Sequence, residues 1–321
     1  MENVYKIYVP RKSVYNKVNM KLATALEQSL DRKEKNDILG VNNCNSFSII
    51  GTSGSGKTSL IQYCISQNGN SLRSIHTDGY DAEVLPFLYL NCPPDCSIKS
   101  LLYNILQEID NKLDTNYIAS ISIKFTTEQL FNMLLSAVKF IGVLILDECQ
   151  NLAKFKAGNT LINYLTALAN SGLAVCISGT EELIPFLSSD ISLSRRYQPI
   201  MIKPYEFDDE FKELVSKLLL QDVDDMLMYW LYIHSAGLPA HLVEIIYEAN
   251  GSYTLQDFES VYDSMIFKPV LIEAKPIKTV STPKYLPARN NKEPINLVQM
   301  LNDKSIDMLS VLKSNYEVVE L

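Results

Sequence analysis

The sequence predicts an α/β protein: a three-layer α/β/α core on a five-stranded parallel sheet, followed by a small all-helical lid domain. Three observations predict it. Short apolar runs alternate with helically spaced segments as far as Pro204. A glycine-rich turn, GTSGSGKT at 51–58, joins the first apolar run to the helix after it. Beyond Pro204 four helical patterns follow one another with no strand between them.

Each element has its own signal. Residues 11–35 carry apolar side chains at helical spacing (Val14, Val18, Leu22, Leu26, Leu30), and the helix ends in a charged run. A loop at 42–45 leads into a buried strand, Phe47 to Ile50, and the glycine-rich turn leads into a helix over 58–67. Phe87 to Asn91 is a second strand. Ser97 caps a helix with the apolar face Leu101, Leu102, Ile105, Leu106 and Ile109. Residues 127–139 form another amphipathic helix, capped by Thr126 or Thr127. Val143 to Leu146 is a continuous apolar run, as a strand covered on both faces requires. A helix over 158–170, a strand over 173–177 and a strand over 200–202 complete the core. The lid helices are expected at 208–220, 222–234, 239–250 and 254–265. The expected organisation is therefore an N-terminal helical extension (1–40), the α/β core (41–205), the lid (206–267) and a linker with a tail (268–321).

Composition narrows the class. The 321 residues are 47% hydrophobic with mean hydropathy near zero, and no run approaches the roughly eighteen apolar residues of a membrane span. The N-terminus lacks the apolar stretch of a signal peptide. Six cysteines are scattered at 44, 64, 92, 96, 149 and 176, the usage of reduced thiols in a cytoplasmic protein. Cys92 and Cys96 have no second pair and no nearby His, so packed thiols are expected there and not zinc. The net charge is −8, yet residues 1–40 carry eight Lys or Arg against five acids, which leaves −11 on the rest. That balance argues against a generally basic surface and leaves room for a local basic stripe.

The chemistry is concentrated in a few short motifs. Thr52, Ser53, Gly54, Ser55, Gly56, Lys57, Thr58 and Ser59 form the phosphate-binding loop and its helix start. Glycines let the backbone fold around a phosphate, Lys57 reaches the β- and γ-phosphates, and the Thr58 hydroxyl is placed for Mg²⁺. The strand before and the helix after are the context that this motif needs. The apolar run ending at Leu146 leads straight into Asp147-Glu148. Asp147 is expected to hold Mg²⁺, and Glu148 to orient and polarise an attacking water. ATP with Mg²⁺ is the expected ligand, and hydrolysis to ADP and phosphate the expected reaction. Ser178-Gly179-Thr180 ends the next strand, where Thr180 could reach the γ-phosphate or the water; an ordinary turn is the alternative. Arg195 and Arg196 are either a solvated pair or an arginine finger acting on a neighbouring subunit's nucleotide.

This order of motifs resembles the AAA+ superfamily, in the branch near replication initiators, over roughly residues 40–265: GTSGSGKT, LILDE, SGT, the SRRY arginines and a helical lid. The finer sequence is similar to the TnsC and TniB family of transposition regulators, to which the MuB ATPases are functionally related. It is similar in LILDECQNL (144–152), ISGTEEL (177–183) and the opening YKIYVPRKSV (5–14). The resemblance implies a homo-oligomer, a ring or helical filament of hexameric or heptameric units, assembled with ATP on double-stranded DNA. It further implies that the oligomer connects a TniQ-type targeting protein to transposase or endonuclease subunits and that hydrolysis dismantles it. Spacing to Lys203-Pro204-Tyr205 implies that Arg196 is the finger. One departure stands out: the family's lid arginine in G-x-P-R is absent from Gly237-Leu238-Pro239-Ala240-His241. Nucleotide is then expected to control assembly more than a large lid stroke.

DNA contacts are expected between the second and third strands, with Lys99, Lys112, Thr115, Lys124 and Thr126 as candidates, although single lysines there are ordinarily solvated. Five prolines after residue 268 suggest a linker, and Leu297, Met300, Leu301, Ile306, Met308, Leu309 and Leu312 a tethered helix that binds the transposase. A helicase loader or replication initiator and an oligomerising signalling NTPase without nucleic acid are the alternatives. The first commonly needs a further DNA-binding domain, and the second usually carries long repeats, of which there is no sign.

Overall fold

The sheet is built from six strands, the central ones of aliphatic and β-branched runs, as cover on both faces demands. The six are β1 (Phe47–Gly51), β2 (Arg73–Thr77), β3 (Tyr80–Asn91), β4 (Ile141–Asp147), β5 (Ala174–Gly179) and β6 (Pro199–Ile202). They belong to a computed structural model that describes residues 11–35, 45–77, 80–92, 94, 97–116, 125–153, 158–249 and 254–265. The strand order is β2-β3-β4-β5-β1-β6. All neighbours pair in parallel except β2 and β3, which are antiparallel. The sheet therefore has six strands, where five parallel strands were expected. Strand β2 gives no apolar run to read: in RSIHT Ile75 is buried, Arg73 is half-buried, and Ser74 and His76 are exposed on the sheet edge.

The core helices are α1 (Lys12–Glu34), α2 (Lys57–Asn68), α3 (Ile98–Leu113), α4 (Thr127–Ala137), α5 (Gln150–Ala153), α6 (Gly158–Asn170), α7 (Leu183–Ser188) and α8 (Ile191–Arg196). Ser97 caps α3 by accepting from the Ser100 N–H at 3.1 Å. Thr126 caps α4 in a reciprocal pair with Gln129, the capping-box arrangement. Alternation along the strands divides the core into two layers. Phe47, Ile49, Phe87, Val143 and Ile145 pack with Val18 and Leu22 of α1 and Leu60 and Ile61 of α2. Leu88, Leu90, Leu144, Leu146, Val175 and Ile177 pack with α3, α4 and α6.

The helical segment after β6 comprises α9 (Asp209–Leu219), α10 (Asp225–Ser235), α11 (Pro239–Glu248) and α12 (Leu255–Ser264). Its own core includes Phe211, Leu214, Leu231, Leu242, Ile245 and Phe258. Its connections to the sheet layer include one at each end. The Tyr205 N–H donates to the Gly237 carbonyl at 2.8 Å. At the other end Glu210 of α9 receives the start of α1: Arg11 Nε at 2.9 Å, the Ser13 N–H at 2.9 Å and the Ser13 hydroxyl at 2.8 Å. The α/β layers and the helical segment lie within one unit, Met1–Val270. The expected tail, 268–321, lies outside the described residues. Among the described residues no helix is long and apolar enough to cross a membrane.

Candidate functional site

The strands β1, β4 and β5 end together, so the loops after them share one rim of the sheet. After β1 the chain turns through Gly54 (φ 79°) and Gly56 (φ 85°), left-handed conformations in which a side chain is strained. The turn delivers Lys57 as the first residue of α2, a helix whose start has no side-chain cap. Lys57 is 5% exposed, and its ammonium donates to the carbonyls of Gly51 and Thr52, each at 2.9 Å. Burial lowers its pKa below the ordinary lysine value, opposed by the charges of Glu148 and Asp147. The hydroxyls of Thr52 and Ser55 are buried without a hydrogen-bond partner. An uncapped helix start, an ammonium and two unpartnered hydroxyls fit a bound phosphate chain.

Beside this loop lies the acidic end of β4. Asp147 is fully buried, and its Oδ2 accepts from the Thr58 hydroxyl at 2.6 Å and from the Tyr89 hydroxyl of β3 at 2.9 Å. Burial first, and then the Asp147 charge, push the Tyr89 phenol well above its usual pKa, so it remains a donor. A hydroxyl and a carboxylate in contact are the sparse, hard-oxygen protein set that Mg²⁺ takes alongside phosphates. Among the described residues there is no cluster of three or more His, Cys, Asp or Glu that would cage a cation instead. Glu148 follows in a left-handed conformation (φ 57°), and its carboxylate accepts from the Gln150 amide.

The loop residues Ser53 to Ser59 and Glu148 line one side of a cavity of about 450 Å³. Its other side combines Arg11 and Val14 with Ile202, Lys203 and Tyr205, and with Leu214, Leu218 and Val243 of the helical segment. An apolar flank next to a phosphate cradle is the division that a nucleotide requires, base on one side and phosphates on the other. Ala240 of α11 closes on the loop, its N–H donating to the Gly54 carbonyl at 3.2 Å. It occupies the place in the Gly237-to-His241 segment where the sequence lacks an arginine.

The other expected residues are placed as follows. The Thr180 N–H donates to Gln150 Oε1 at 3.1 Å, and the Thr180 hydroxyl is buried without a partner. Arg196 sits in the last turn of α8 and donates to the Thr166 carbonyl at 3.4 Å and to Asn170 Oδ1 at 2.8 Å. Arg195 is exposed, and neither arginine lines the cavity. Thr126 is engaged as the cap of α4, Thr115 donates to Asp110 at 2.6 Å, and Lys112 pairs with Glu108 at 3.7 Å. Lys99 is exposed in the first turn of α3, while Lys124 lies outside the described residues. Three contributors were not anticipated. Tyr89 lies within the expected strand Phe87 to Asn91 and Gln150 within LILDECQNL, but nothing in their spacing shows that they meet Asp147 and Glu148. The apolar flank is assembled from four separate parts of the chain.

Residues 41–187 match the family model described as AAA domain. No curated protein matches the sequence. Among solved structures, the chain is similar to the ORC2 protein of Aeropyrum pernix at 13% identity, with 76% of this chain and 66% of that chain covered and a TM-score of 0.50. It is similar to the ORC1 protein of Aeropyrum pernix, solved in complex with DNA, at 12% identity, with 79% and 65% covered and a TM-score of 0.50. About a third of each of those two chains thus has no counterpart here. A Walker-type ATPase of Pyrococcus abyssi gives 17% identity, 74% and 70% covered and a TM-score of 0.48. With the sheet, the phosphate loop and the match over residues 41–187 taken together, the chain has the P-loop AAA+ fold.

Proposed function

We propose that this chain is an ATPase that uses ATP as an assembly switch, and that it regulates DNA transposition in the manner of the TnsC family. The observation that carries the hydrolytic part is the contact of Thr58 with Asp147 at 2.6 Å, with Glu148 beside it on the cavity wall. Lys57 and the loop bind the β- and γ-phosphates. Thr58 and Asp147 would hold Mg²⁺, which neutralises phosphate charge when bound. Glu148 accepts a hydrogen bond from the attacking water and turns its lone pair toward the γ-phosphorus. The new bond joins that oxygen to phosphorus, the bond to the bridging oxygen breaks, ADP leaves with the electron pair, and the proton shed by the water ends on an oxygen of the released phosphate. The apolar flank holds the base.

Support for the finer role comes from the stretches LILDECQNL and ISGTEEL and from the arginines. Arg196 is held on the surface of α6 outside its own chain's cavity, as suits a group that serves the nucleotide of an adjoining subunit. On this reading ATP-bound subunits assemble as a ring or filament on double-stranded DNA, engage a TniQ-type factor and the transposase, and fall apart after hydrolysis.

The test uses Glu148→Gln, which should still bind ATP but turn it over slowly, about a hundredfold or more below the parent. Electron microscopy of this variant with duplex DNA and ATP should show long-lived rings or filaments. Normal turnover in the variant removes Glu148 from its role. Assemblies that form with ATP but ignore DNA would favour a signalling NTPase, and loading of a replicative helicase would favour an initiator-type ATPase.

A further inference from the structure

Gln150 stands at the start of α5, two positions beyond Glu148, and is 6% exposed. Both ends of its side-chain amide are engaged. The Nε2 group donates to Glu148 Oε2, and Oε1 accepts from the Thr180 N–H at 3.1 Å. Room for this comes from Gly179, where a Cβ would overlap Gln150 Oε1. The backbone reinforces the same junction: the Cys149 N–H donates to the Ser178 carbonyl at 2.8 Å, and the Asn151 N–H to the Glu148 carbonyl at 3.0 Å. One buried amide thus bridges the ends of β4 and β5.

The chemistry of the bridge is specific. A carboxylate has two oxygens, and Gln150 engages one, leaving the other for a water. Glutamate has three side-chain torsions, and a group free to rotate about them spends little time in any one setting. The bridge needs a donor toward Glu148 and an acceptor toward Thr180 at once, with the reach of a glutamine. Glutamate offers no donor when ionised, asparagine is shorter, and methionine offers neither.

We propose that Gln150 is a positioning residue for hydrolysis: it fixes the Glu148 carboxylate against the end of β5, so that the setting of Glu148 follows the backbone at Thr180. The Ser178 and Thr180 hydroxyls, buried without partners, lie on the segment that Gln150 reads. A contact that moves this segment moves the water-orienting carboxylate with it. The inference rests on the assignment of Glu148 as the group that orients water.

The test is a cycle of Gln150→Met, Glu148→Gln and the double variant, with kcat, KM, the Kd of a fluorescent ATP analogue and Tm measured for each. Methionine keeps the bulk of the side chain and removes donor and acceptor together. Gln150→Met should lower kcat about ten- to a hundredfold, with KM and Kd changed less than about twofold. Combined with Glu148→Gln it should cause no further loss, because the residue it positions is already gone. If Gln150→Met does not fold, Gln150→Glu, which keeps the acceptor toward Thr180 and places a carboxylate against Glu148, should show the same kcat loss. Normal kcat in the folded Gln150 variant, while Glu148→Gln is slow, overturns the proposal alone. A further loss in the double variant, or a rise of KM and Kd with a fall of Tm, overturns it also. Normal turnover in Glu148→Gln would instead bring down the reading on which it rests.

Discussion

Two hydroxyl donors meet on one oxygen of Asp147, and this contact carries the clearest single-residue expectations. Tyr89 fixes Asp147 from the side of β3 while Thr58 fixes it from α2. Tyr89→Phe removes one of the two and leaves the ring packing in place. It should raise the Mg²⁺ concentration for half-maximal turnover about tenfold, read also as Mg²⁺-dependent binding of a fluorescent nucleotide. Lys57→Ala should remove nucleotide binding and with it ATP-dependent assembly, measured by fluorescence titration and size-exclusion chromatography. Intact assembly would sink the phosphate-loop assignment. How legible these residues were depends on how local their contacts are. GTSGSGKT is read from its own spacing, since turn, lysine and hydroxyl lie on consecutive residues. Tyr89 meets Asp147 only through the β3–β4 register, in which Asn91 faces Asp147, and no spacing along the chain contains that register.

At the scale of elements, the link between α1 and α9 is the feature to test. Helix α1 has no acidic residue in its first turn and no side-chain cap of its own. Glu210 supplies both from another helix, accepting from Ser13 and Arg11. Arg11 also lies over the Tyr205 ring at 4.7 Å, so the start of α1, the exit from β6 and α9 share one contact. Burial pushes the Glu210 carboxyl up, but the hydrogen bonds from Ser13 and Arg11 outweigh it and hold its pKa below the usual range. A depressed folded-state pKa means that the stabilisation is present above the unfolded value near pH 4.3 and is lost as pH falls through the folded value. Glu210→Gln should therefore lower Tm by about 2–4 °C at neutral pH. The gap from the parent should close on acidification below about pH 4, followed by circular dichroism. An unchanged gap at low pH would mean that the carboxylate charge contributes nothing. The long helices and buried strands were readable because their periodicity spans several turns. Helices α5, α7 and α8 are too short to show a period, and the sequence of β2, RSIHT, has a single aliphatic residue to show. Asp224 caps α10 by accepting from the Leu227 N–H at 2.7 Å, which explains why that helix starts at Asp225 and not at 222.

For the whole molecule the question is whether the nucleotide site is complete in one subunit. Arg196 is anchored to α6 and does not line the cavity of its own chain. Arg196→Ala should leave the nucleotide affinity of the isolated subunit unchanged while abolishing the rise of specific activity with protein concentration. The same loss from Arg195→Ala alone would move the assignment by one residue. With a net charge of −8, binding to DNA would have to use a local basic stripe, and it should weaken steeply between about 50 and 200 mM salt. The helical segment meets the phosphate loop through a different kind of contact, the Ala240 N–H on the Gly54 carbonyl. A bond between two main chains asks of position 240 only an N–H, while its acceptor is tied to glycine: at Gly54 φ is 79°, and an added Cβ would lie 3.1 Å from the Ala240 Cβ. Any residue except proline keeps the donor at position 240, so this coupling can persist through almost every substitution there. On the lid side the wiring between lid and loop is thus inherited through shape, and comparison of residue identities would register only its glycine half.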